Sequence, residues 1–244
     1  MSGHSHWATI KHKKAAADAK KNKVFSKMAR AIIVAAKQGG GDPDGNIKLQ
    51  YAIEAARAVN MPRDNIERAI KRGTGEMEGI QFEEVTYEGF GPGGVALLVE
   101  VLSDNRNRTA SEIRKVFEQH GGKMGAAGSV GYMFERKGVI RIPANTTTED
   151  DLMVASLDAG ADNLVRSGEL FEVVTTPSDL DKVRKSLEGK FKIESFEWTM
   201  LPKNPNKIDQ ETGKRVLDLL DALDENDDVQ KLYSDFDIAE SVAS

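Results

Sequence analysis

The sequence predicts an α+β protein of several domains, with a bundle of helices at the start and mixed strands and helices after it. Residues 15–37 and two shorter segments downstream carry apolar side chains at helical spacing. Beyond residues 73–75, which read Gly-Thr-Gly, the apolar pattern changes to a period of two, as in strands. A chain of 244 residues with 39% hydrophobic content can bury two or three modest cores, so we expect a folded protein.

The three predicted helices are separated by residues that stop helices. The Ala- and Lys-rich stretch 15–37 has no Gly or Pro, and three glycines and Pro43 follow it. A second helix is expected at about 46–59. A third is expected at about 63–72, because Pro62 fits the first turn of a helix. Three short helices joined by tight loops predict a small bundle.

Strands and helices alternate in the rest of the chain. Residues 91–94 read Gly-Pro-Gly-Gly between two alternating apolar segments, which indicates a hairpin. We expect a helix to start at Thr109 or Ser111, because either hydroxyl can cap it. The predicted strands are 82–89, 94–102, 130–135, 138–142, 168–174 and 193–201, and the other predicted helices are 148–159, 179–189 and 212–224. This alternation favours α+β modules with their helices on one face of a sheet.

Composition excludes several classes of protein. Without any cysteine the chain has no disulfide scaffold, no thiol nucleophile and no zinc site built on thiolates. Its four histidines suggest no Ser-His-Asp arrangement, since three of them lie in one polar stretch near the start. No stretch approaches the roughly 18 apolar residues of a membrane-spanning helix, and residues 1–30 lack the apolar centre of a secretory signal. We therefore expect a cytoplasmic protein that is not an enzyme, with no catalytic residue, cofactor, metal, small-molecule substrate or membrane partner.

Two further segments are only superficially similar to ligand-binding motifs. Residues 89–94 are rich in glycine, but they lie between two predicted strands and lack the helix and the lysine of a phosphate loop. We interpret them as a hairpin turn. The acidic cluster at 224–228 lacks the spacing and the turn glycine of a calcium loop. We interpret it as a solvated helix end.

Charge is distributed unevenly along the chain. The net charge is −5, yet residues 1–75 contain 15 Lys and Arg against 6 Asp and Glu. The remaining 169 residues contain 19 against 33. A basic segment on an acidic body can bind phosphate backbones while the body limits unspecific adhesion. The alternative is a solvated amphipathic face.

The basic segment, residues 11–30, is the leading candidate for contact with nucleic acid. It holds eight Lys and Arg and a single Asp. Each cation that neutralises a phosphate releases a bound counterion, so a stripe of roughly six to eight supplies most of a micromolar affinity. Trp7 and the nearby His12 can stack on an exposed base, or Trp7 can instead anchor the bundle as an apolar side chain. The candidate residues here are Trp7, Lys11, His12, Lys13, Lys14, Lys20, Lys21, Lys23, Lys27 and Arg30.

A second candidate surface contains Arg106 and Arg108, which flank a predicted helix start. Amide donors and the helix dipole favour phosphate at such a position. In the alternative interpretation, Asp104 or Asn105 caps the helix locally and the arginines pair with carboxylates such as Glu112.

A third candidate is the loop 121–129, which contains Lys123. Its small residues permit the backbone to approach a partner closely, and loops of this length are often functional. It is interpreted either as a flexible arm or as a long connection between a helix and a strand.

Several long motifs resemble one known family. These motifs are GHSHWATIKHKKAAADAKKNKVFSKMARAI, GGGDPDGNIKLQYAIEAARAVNMPRDNIERAIKRGTG, YEGFGPGGVALLVEVLSDNRNRTASEIRKVF and GGKMGAAGSVGYMFERKGVI. They closely resemble the YebC family of bacterial and organellar regulators, and the likeness spans the whole chain.

The resemblance implies three domains. Residues 1–75 correspond to a basic helical bundle that binds nucleic acid. Residues 80–135 together with 208–238 correspond to a ferredoxin-like α/β domain, and residues 136–207 to a second α/β domain inserted in it. For function, the resemblance implies a regulator of gene expression. Members have been described as DNA-binding transcriptional regulators, a mitochondrial relative activates translation of a cytochrome oxidase subunit, and bacterial members are placed on the ribosome, where they ease synthesis of proline-rich stretches.

Our leading hypothesis is therefore a factor that binds RNA, such as ribosomal RNA, or the ribosome. The basic segment is almost all Lys, which contacts phosphate as a point charge, and the sequence shows no clear recognition helix with Arg, Asn or Gln for base edges. The first alternative is a regulator of transcription that binds double-stranded DNA, since helical bundles often enter the major groove. The second is a protein-interaction module that uses the acidic α/β part.

Overall fold

The structure, a computed structural model, describes residues 18–79 and 81–238, with side chains from Asn22 onwards. Its helices are α1 (Asp18–Gly39), α2 (Ile47–Ala58), α3 (Arg63–Gly73), α4 (Arg106–Gln119), α5 (Glu149–Ala159), α6 (Leu180–Leu187) and α7 (Gln210–Asp224). The strands are β1 (Glu83–Phe90), β2 (Ala96–Ser103), β3 (Lys123–Met124), β4 (Phe134–Pro143), β5 (Asn163–Ser167), β6 (Leu170–Thr175), β7 (Ser195–Pro202), β8 (Asn206–Ile208), β9 (Val229–Ser234) and β10 (Phe236–Ile238). The predicted α+β class is confirmed.

The described chain forms two compact units. The N-terminal unit comprises residues 18–129 without residue 80, together with 215–232. The inserted unit comprises residues 130–214 and 233–238. The N-terminal unit thus includes both the helices and the first sheet, and the predicted division into a bundle and a separate middle domain stays a prediction.

Helices α1, α2 and α3 of the N-terminal unit pack around one apolar core. Ile32, Leu49 and Ala56 are fully buried in it. The amide of Asn46, which caps α2, donates to the Ala35 carbonyl over 2.8 Å and so ties the start of α2 to α1. At the end of α3, a Cβ on Gly73 would lie 2.5 Å from the Ile33 carbonyl oxygen, so only glycine allows this close approach.

The sheet of the N-terminal unit has the strand order β3-β1-β2-β9. Strands β1 and β2 form the predicted antiparallel hairpin, with Phe90 paired to Ala96 next to the turn. The 3-10 turn Pro92–Gly94 closes it, and Gly93 and Gly94 have φ of 70° and 71°. The interpretation of this glycine-rich stretch as a hairpin turn is confirmed.

Helix α4 begins earlier than the sequence predicted. Its cap is Asn105, whose side chain accepts a hydrogen bond from the Arg108 amide over 3.1 Å. The expected start at Thr109 or Ser111 is wrong, because Thr109 is fully buried inside the helix and its hydroxyl bonds to other groups. The arginine pair therefore lies in the first turn of α4.

The inserted unit contains an antiparallel sheet with the strand order β5-β6-β4-β7. Along the chain its elements run β4-α5-β5-β6-α6-β7, which is the ferredoxin-like connectivity. Two predicted strands, at 130–135 and 138–142, are one strand, β4, preceded by a 3-10 turn. The short strands β5 and β8 were not predicted. A second sheet of this unit pairs β8 with β10 in parallel.

Candidate nucleic-acid interface

The most basic part of the chain lies largely outside the described residues. Trp7, Lys11, His12, Lys13 and Lys14 precede residue 18, and Lys20 and Lys21 lie on α1 where only the backbone is described. Their assignment to nucleic-acid binding therefore stays a prediction.

The described cations of α1 contact carboxylates and carbonyl groups of one other segment. Lys23, Lys27 and Arg30 are four and three residues apart, so they lie on one face of the helix. All three bind residues 224–228, which read Asp-Glu-Asn-Asp-Asp and are here called the acidic segment. This segment joins α7 to β9 in the same unit.

These contacts form a network of ion pairs and hydrogen bonds. Lys27 Nζ lies 2.8 Å from Asp224 Oδ1 and also donates to the Asp224 carbonyl over 3.1 Å. Arg30 Nη1 lies 2.8 Å from Asp228 Oδ1, and its guanidinium stacks on the Phe82 ring at 5.1 Å from the centroid. The Lys27 side chain is only 10% exposed, so its partner replaces water as its main contact.

Asp228 is the centre of the network. Its side chain is 4% exposed, and its second oxygen accepts from Arg108 Nη2 over 2.6 Å and from the Thr109 hydroxyl. Burial alone would raise the pKa of the Asp228 carboxyl. The hydrogen bonds from Thr109 and Arg108 and the positive charge of Arg30 outweigh it, and they hold this pKa below its ordinary value. The interpretation of the acidic cluster as a solvated helix end is therefore wrong for Asp228.

Arg108 is held by three carboxylates. Besides Asp228, Asp104 lies 3.0 Å and Glu112 3.6 Å from its guanidinium nitrogens. The hydrogen bond to Asp228 raises the pKa of Arg108. This arrangement confirms the alternative in which Asn105 caps the helix and Arg108 pairs with neighbouring carboxylates.

Arg106 has a different environment. Its side chain is 64% exposed, and its nearest carboxylate oxygen, from Glu83, lies 4.0 Å away. The Tyr87 hydroxyl donates to the Arg106 carbonyl over 3.0 Å, and burial raises the pKa of this phenol. Arg106 therefore remains accessible to a polyanion.

The loop 121–129 is tied to β1. The Gly125 amide donates to the Glu88 carbonyl over 2.8 Å, and the Gly128 amide donates to the Glu88 carboxylate over 2.7 Å. Within the loop, Lys123 belongs to β3 and pairs with Phe90 through the backbone, while its side chain is exposed. Of the two interpretations of this loop, these contacts favour the structured connection.

The structure thus brings together residues that the sequence placed on two separate surfaces. Arg30 and Arg108 meet at Asp228, although Asp228 is 198 residues from Arg30 along the chain. Sequence reasoning missed Asp228 and Thr109 as parts of this network. The opposite charges of the basic segment and the acidic cluster were the one signal that indicated an interaction.

No group of three or more His, Cys, Asp or Glu residues in the part of the chain that the structure describes is arranged to hold a metal ion. None of the helices described is long and apolar enough to cross a membrane.

Comparisons with known proteins cover almost the entire chain. A family model described as the TACO1/YebC protein N-terminal domain matches residues 5–76, and one described as the TACO1/YebC second and third domain matches residues 82–236. A probable transcriptional regulatory protein of Rubrobacter xylanophilus is 53% identical over 99% of this chain and 98% of that relative. One of Chlorobaculum tepidum is 52% identical over 100% of this chain and 98% of that relative.

A solved structure shows the same fold. The crystal structure of the conserved hypothetical protein Aq1575 from Aquifex aeolicus matches with a TM-score of 0.87 and 48% identity, over 98% of this chain and 99% of that one. Both family models and the full-length relatives agree with the motifs noted in the sequence. The chain belongs to the TACO1/YebC family.

Proposed function

We propose that this chain is a nucleic-acid-binding regulatory factor of gene expression that acts on RNA at the ribosome. The observation that carries the proposal is the engagement of Lys23, Lys27 and Arg30 by the acidic segment. A helix that reads DNA presents its polar row to the major groove, whereas these side chains of α1 contact the protein itself. The described part of α1 is therefore poorly suited to be a recognition helix.

The other candidate cations lie on different elements. Arg106 is at the start of α4, and Lys123 is on β3. The basic residues 11–21 add a further set of charges. Contacts that are spread over separate elements suit a large, irregular RNA, because several modest contacts can engage together there.

We propose further that the protein works in the cytoplasm and eases synthesis of proline-rich stretches on the ribosome. The likeness to the YebC family supports this step. In this proposal no catalytic residue and no cofactor is required: the protein acts by binding.

A DNA-binding regulator of transcription is the second candidate. The names of the relatives favour it, since those from Rubrobacter xylanophilus and Chlorobaculum tepidum are called probable transcriptional regulatory proteins. The same cations can neutralise the phosphates of either nucleic acid, so charge alone does not separate the two candidates.

The test compares ribosomes with a DNA duplex of about 20 base pairs. Cosedimentation with bacterial ribosomes and duplex affinity are measured at physiological salt for the wild type and for Arg106→Ala with Lys123→Ala. A matched control, Lys190→Ala with Lys192→Ala, removes the same charge from the inserted unit. The proposal expects ribosome binding that the first variant weakens and the control does not. Tight, sequence-selective duplex binding without cosedimentation would replace it by the transcriptional candidate.

A second readout addresses the step at the ribosome. In a reconstituted translation reaction, addition of the wild-type protein should raise the yield of a reporter with a run of prolines and leave a proline-free reporter unchanged. An equal effect on both reporters would contradict the proline-specific role.

A further inference from the structure

Helix α4 has two flanks with opposite surroundings. On the inner flank, Arg108 and Glu112 bind the acidic segment: Arg108 through Asp228, and Glu112 through the Asn226 amide over 2.8 Å. A third side of the helix, with Ile113 and Phe117, is fully buried. What remains is a flank that faces neither the core nor the acidic segment.

This outer flank carries Asn107 and Arg114, and its border with the inner flank carries Lys115, which lies seven residues after Arg108; all three are exposed. Asn107 and Arg114 are seven residues apart, so they lie nearly in one row with about 10 Å between their Cα atoms. Gly121 follows the end of the helix, and a Cβ there would lie 3.0 Å from Arg215 Nη2. Arg215 of α7 thus lies close to the C-terminal end of α4, and it too is exposed.

The cations of the outer flank have no ion pair within 4.0 Å among the described residues, in contrast to those of α1. The acidic residues within one helical turn are Glu118 for Arg114, Glu112 and Glu118 for Lys115, and Glu211 and Asp218 for Arg215. None of them forms such a pair with these cations in the described part of the chain. Three exposed guanidinium and ammonium groups, two on α4 and one on α7, therefore lie without an ion pair in the described chain, and such cations can attract a polyanion.

The helix that carries these groups is held in place by the buried network on its other side. Asp228 binds Arg108 and Thr109, and the Ser103 hydroxyl lies 2.6 Å from that of Thr109. A helix that is already fixed pays no further cost for ordering its backbone when its side chains bind a partner. The contacts of the inner flank thus hold α4 in a fixed position, and with it the side chains of the outer flank.

We propose that the outer flank of α4 (Asn107, Arg114, Lys115 and Arg215) is a second nucleic-acid-binding surface, which contacts the phosphates of RNA. The proposal rests on the proposed function and adds to it a surface separate from residues 11–21. Exposed Arg and Lys side chains of this kind contact phosphates whatever the base, so this surface recognises the backbone, while the Asn107 amide adds a hydrogen-bonding group.

The test uses the full-length chain and the triple variant Arg114→Ala, Lys115→Ala, Arg215→Ala. Lys190→Ala, Lys192→Ala, Lys207→Ala is the matched control, because it removes the same charge from exposed positions of the inserted unit. Affinity is measured for an RNA hairpin of about 20 base pairs, for ribosomes and for a DNA duplex of the same length, at several salt concentrations. The changed side chains have no ion pair among the described residues, so melting temperatures should match that of the wild type.

We expect the triple variant to lose about 10- to 100-fold in affinity for the RNA hairpin and for ribosomes, and the slope of log affinity against log salt to fall by roughly 2 to 3. The control should change affinity by less than about 3-fold. A separate double variant, Arg114→Lys with Arg215→Lys, keeps both charges and should retain most of the wild-type affinity.

The outcomes separate the two proposals. Equal losses in the triple variant and the control would overturn the outer flank while leaving the proposed function in place. A wild-type protein that binds neither the hairpin nor ribosomes would overturn the proposed function, and the inference with it. A loss confined to the DNA duplex would overturn the assignment of this surface to RNA.

Discussion

Helix α1 and helix α4 both carry several cations, and the structure gives those cations different surroundings. On α1, Lys27 is 10% exposed and bound to Asp224. On the outer flank of α4, Arg114 and Lys115 are exposed, with no carboxylate within ion-pair distance in the described chain. The density of Lys and Arg in a sequence therefore measures charge, and the fold decides how much of that charge a ligand can reach.

The two sets of cations should also differ in energy. Removing one partner of a buried, hydrogen-bonded pair costs about 3–5 kcal/mol, because the other charge is left without compensation. An exposed cation typically contributes about 0–1 kcal/mol to stability. We therefore expect changes at the α1 network to lower stability and changes at the outer flank to lower binding.

The largest effect on binding is expected from the basic residues that precede the α1 network. Replacing Lys11, Lys13, Lys14, Lys20 and Lys21 by Ala should weaken binding to any RNA or DNA by about 1,000-fold at low salt, since roughly five phosphate contacts are lost. The slope of log affinity against log salt should fall in parallel. An unchanged slope would show that these lysines do not contact the nucleic acid.

The next largest effect concerns stability. Asp228→Asn keeps the shape of the side chain but leaves Arg30 and Arg108 without their shared charge, so we expect a loss of about 2–3 kcal/mol. That corresponds to a fall in melting temperature of about 5–10 °C. Asp227→Asn is the matched control, because it makes the same change at an exposed neighbour. Similar melting temperatures for the two variants would contradict the central role of Asp228.

The pH dependence of stability should reveal the same carboxylate. The folded-state pKa of Asp228 lies below its ordinary value of 3.8. Its contribution is therefore fully present above that value and is lost as the pH falls below about 4 toward the folded-state pKa. In urea titrations between pH 6 and pH 3, Asp228→Asn should show a shallower decline in the free energy of unfolding than Asp227→Asn. Identical declines would mean that Asp228 is not held ionised by its partners.

The smallest effect is expected at Arg106. Its pairing with Glu83 is long and exposed, so Arg106→Ala should change the free energy of unfolding by less than about 0.5 kcal/mol. Nucleic-acid affinity should fall by only a few fold, with a decrease of about 1 in the salt slope. A large loss of stability would place Arg106 with the buried network instead.

Local features of the fold were predictable because their causes are local. Apolar spacing and breakers such as Pro62 located the three helices of the N-terminal unit to within about three residues, and the glycines at 91–94 located the hairpin. The predicted start of helix α4 was wrong because the hydroxyl of Thr109, a good cap in isolation, forms hydrogen bonds with Ser103 and Asp228 instead. The short strand β5, with Arg166 among its five residues, has too weak an alternating pattern to stand out.

The candidate site was less predictable because it depends on contacts distant in sequence. The sequence singled out Arg106 and Lys123 as candidates for nucleic-acid binding, and both are exposed in the structure. For Arg108 it offered both interpretations. It gave no means to pair Arg30 with Asp228, nor to show that α4 turns one flank inward and leaves Arg114 on the other. Those facts follow from how the helices pack.

The most direct test compares salt slopes for two double variants of the full-length chain. Lys23→Ala with Lys27→Ala removes two cations of the α1 network, and Arg114→Ala with Lys115→Ala removes two of the outer flank. For binding to an RNA hairpin, measured where both variants are fully folded, the first should leave the slope of log affinity against log salt within about 0.3 of the wild type. The second should lower it by roughly 1.5. A decrease in the first variant as large as in the second would contradict the claim that the fold withdraws the α1 cations from the nucleic acid.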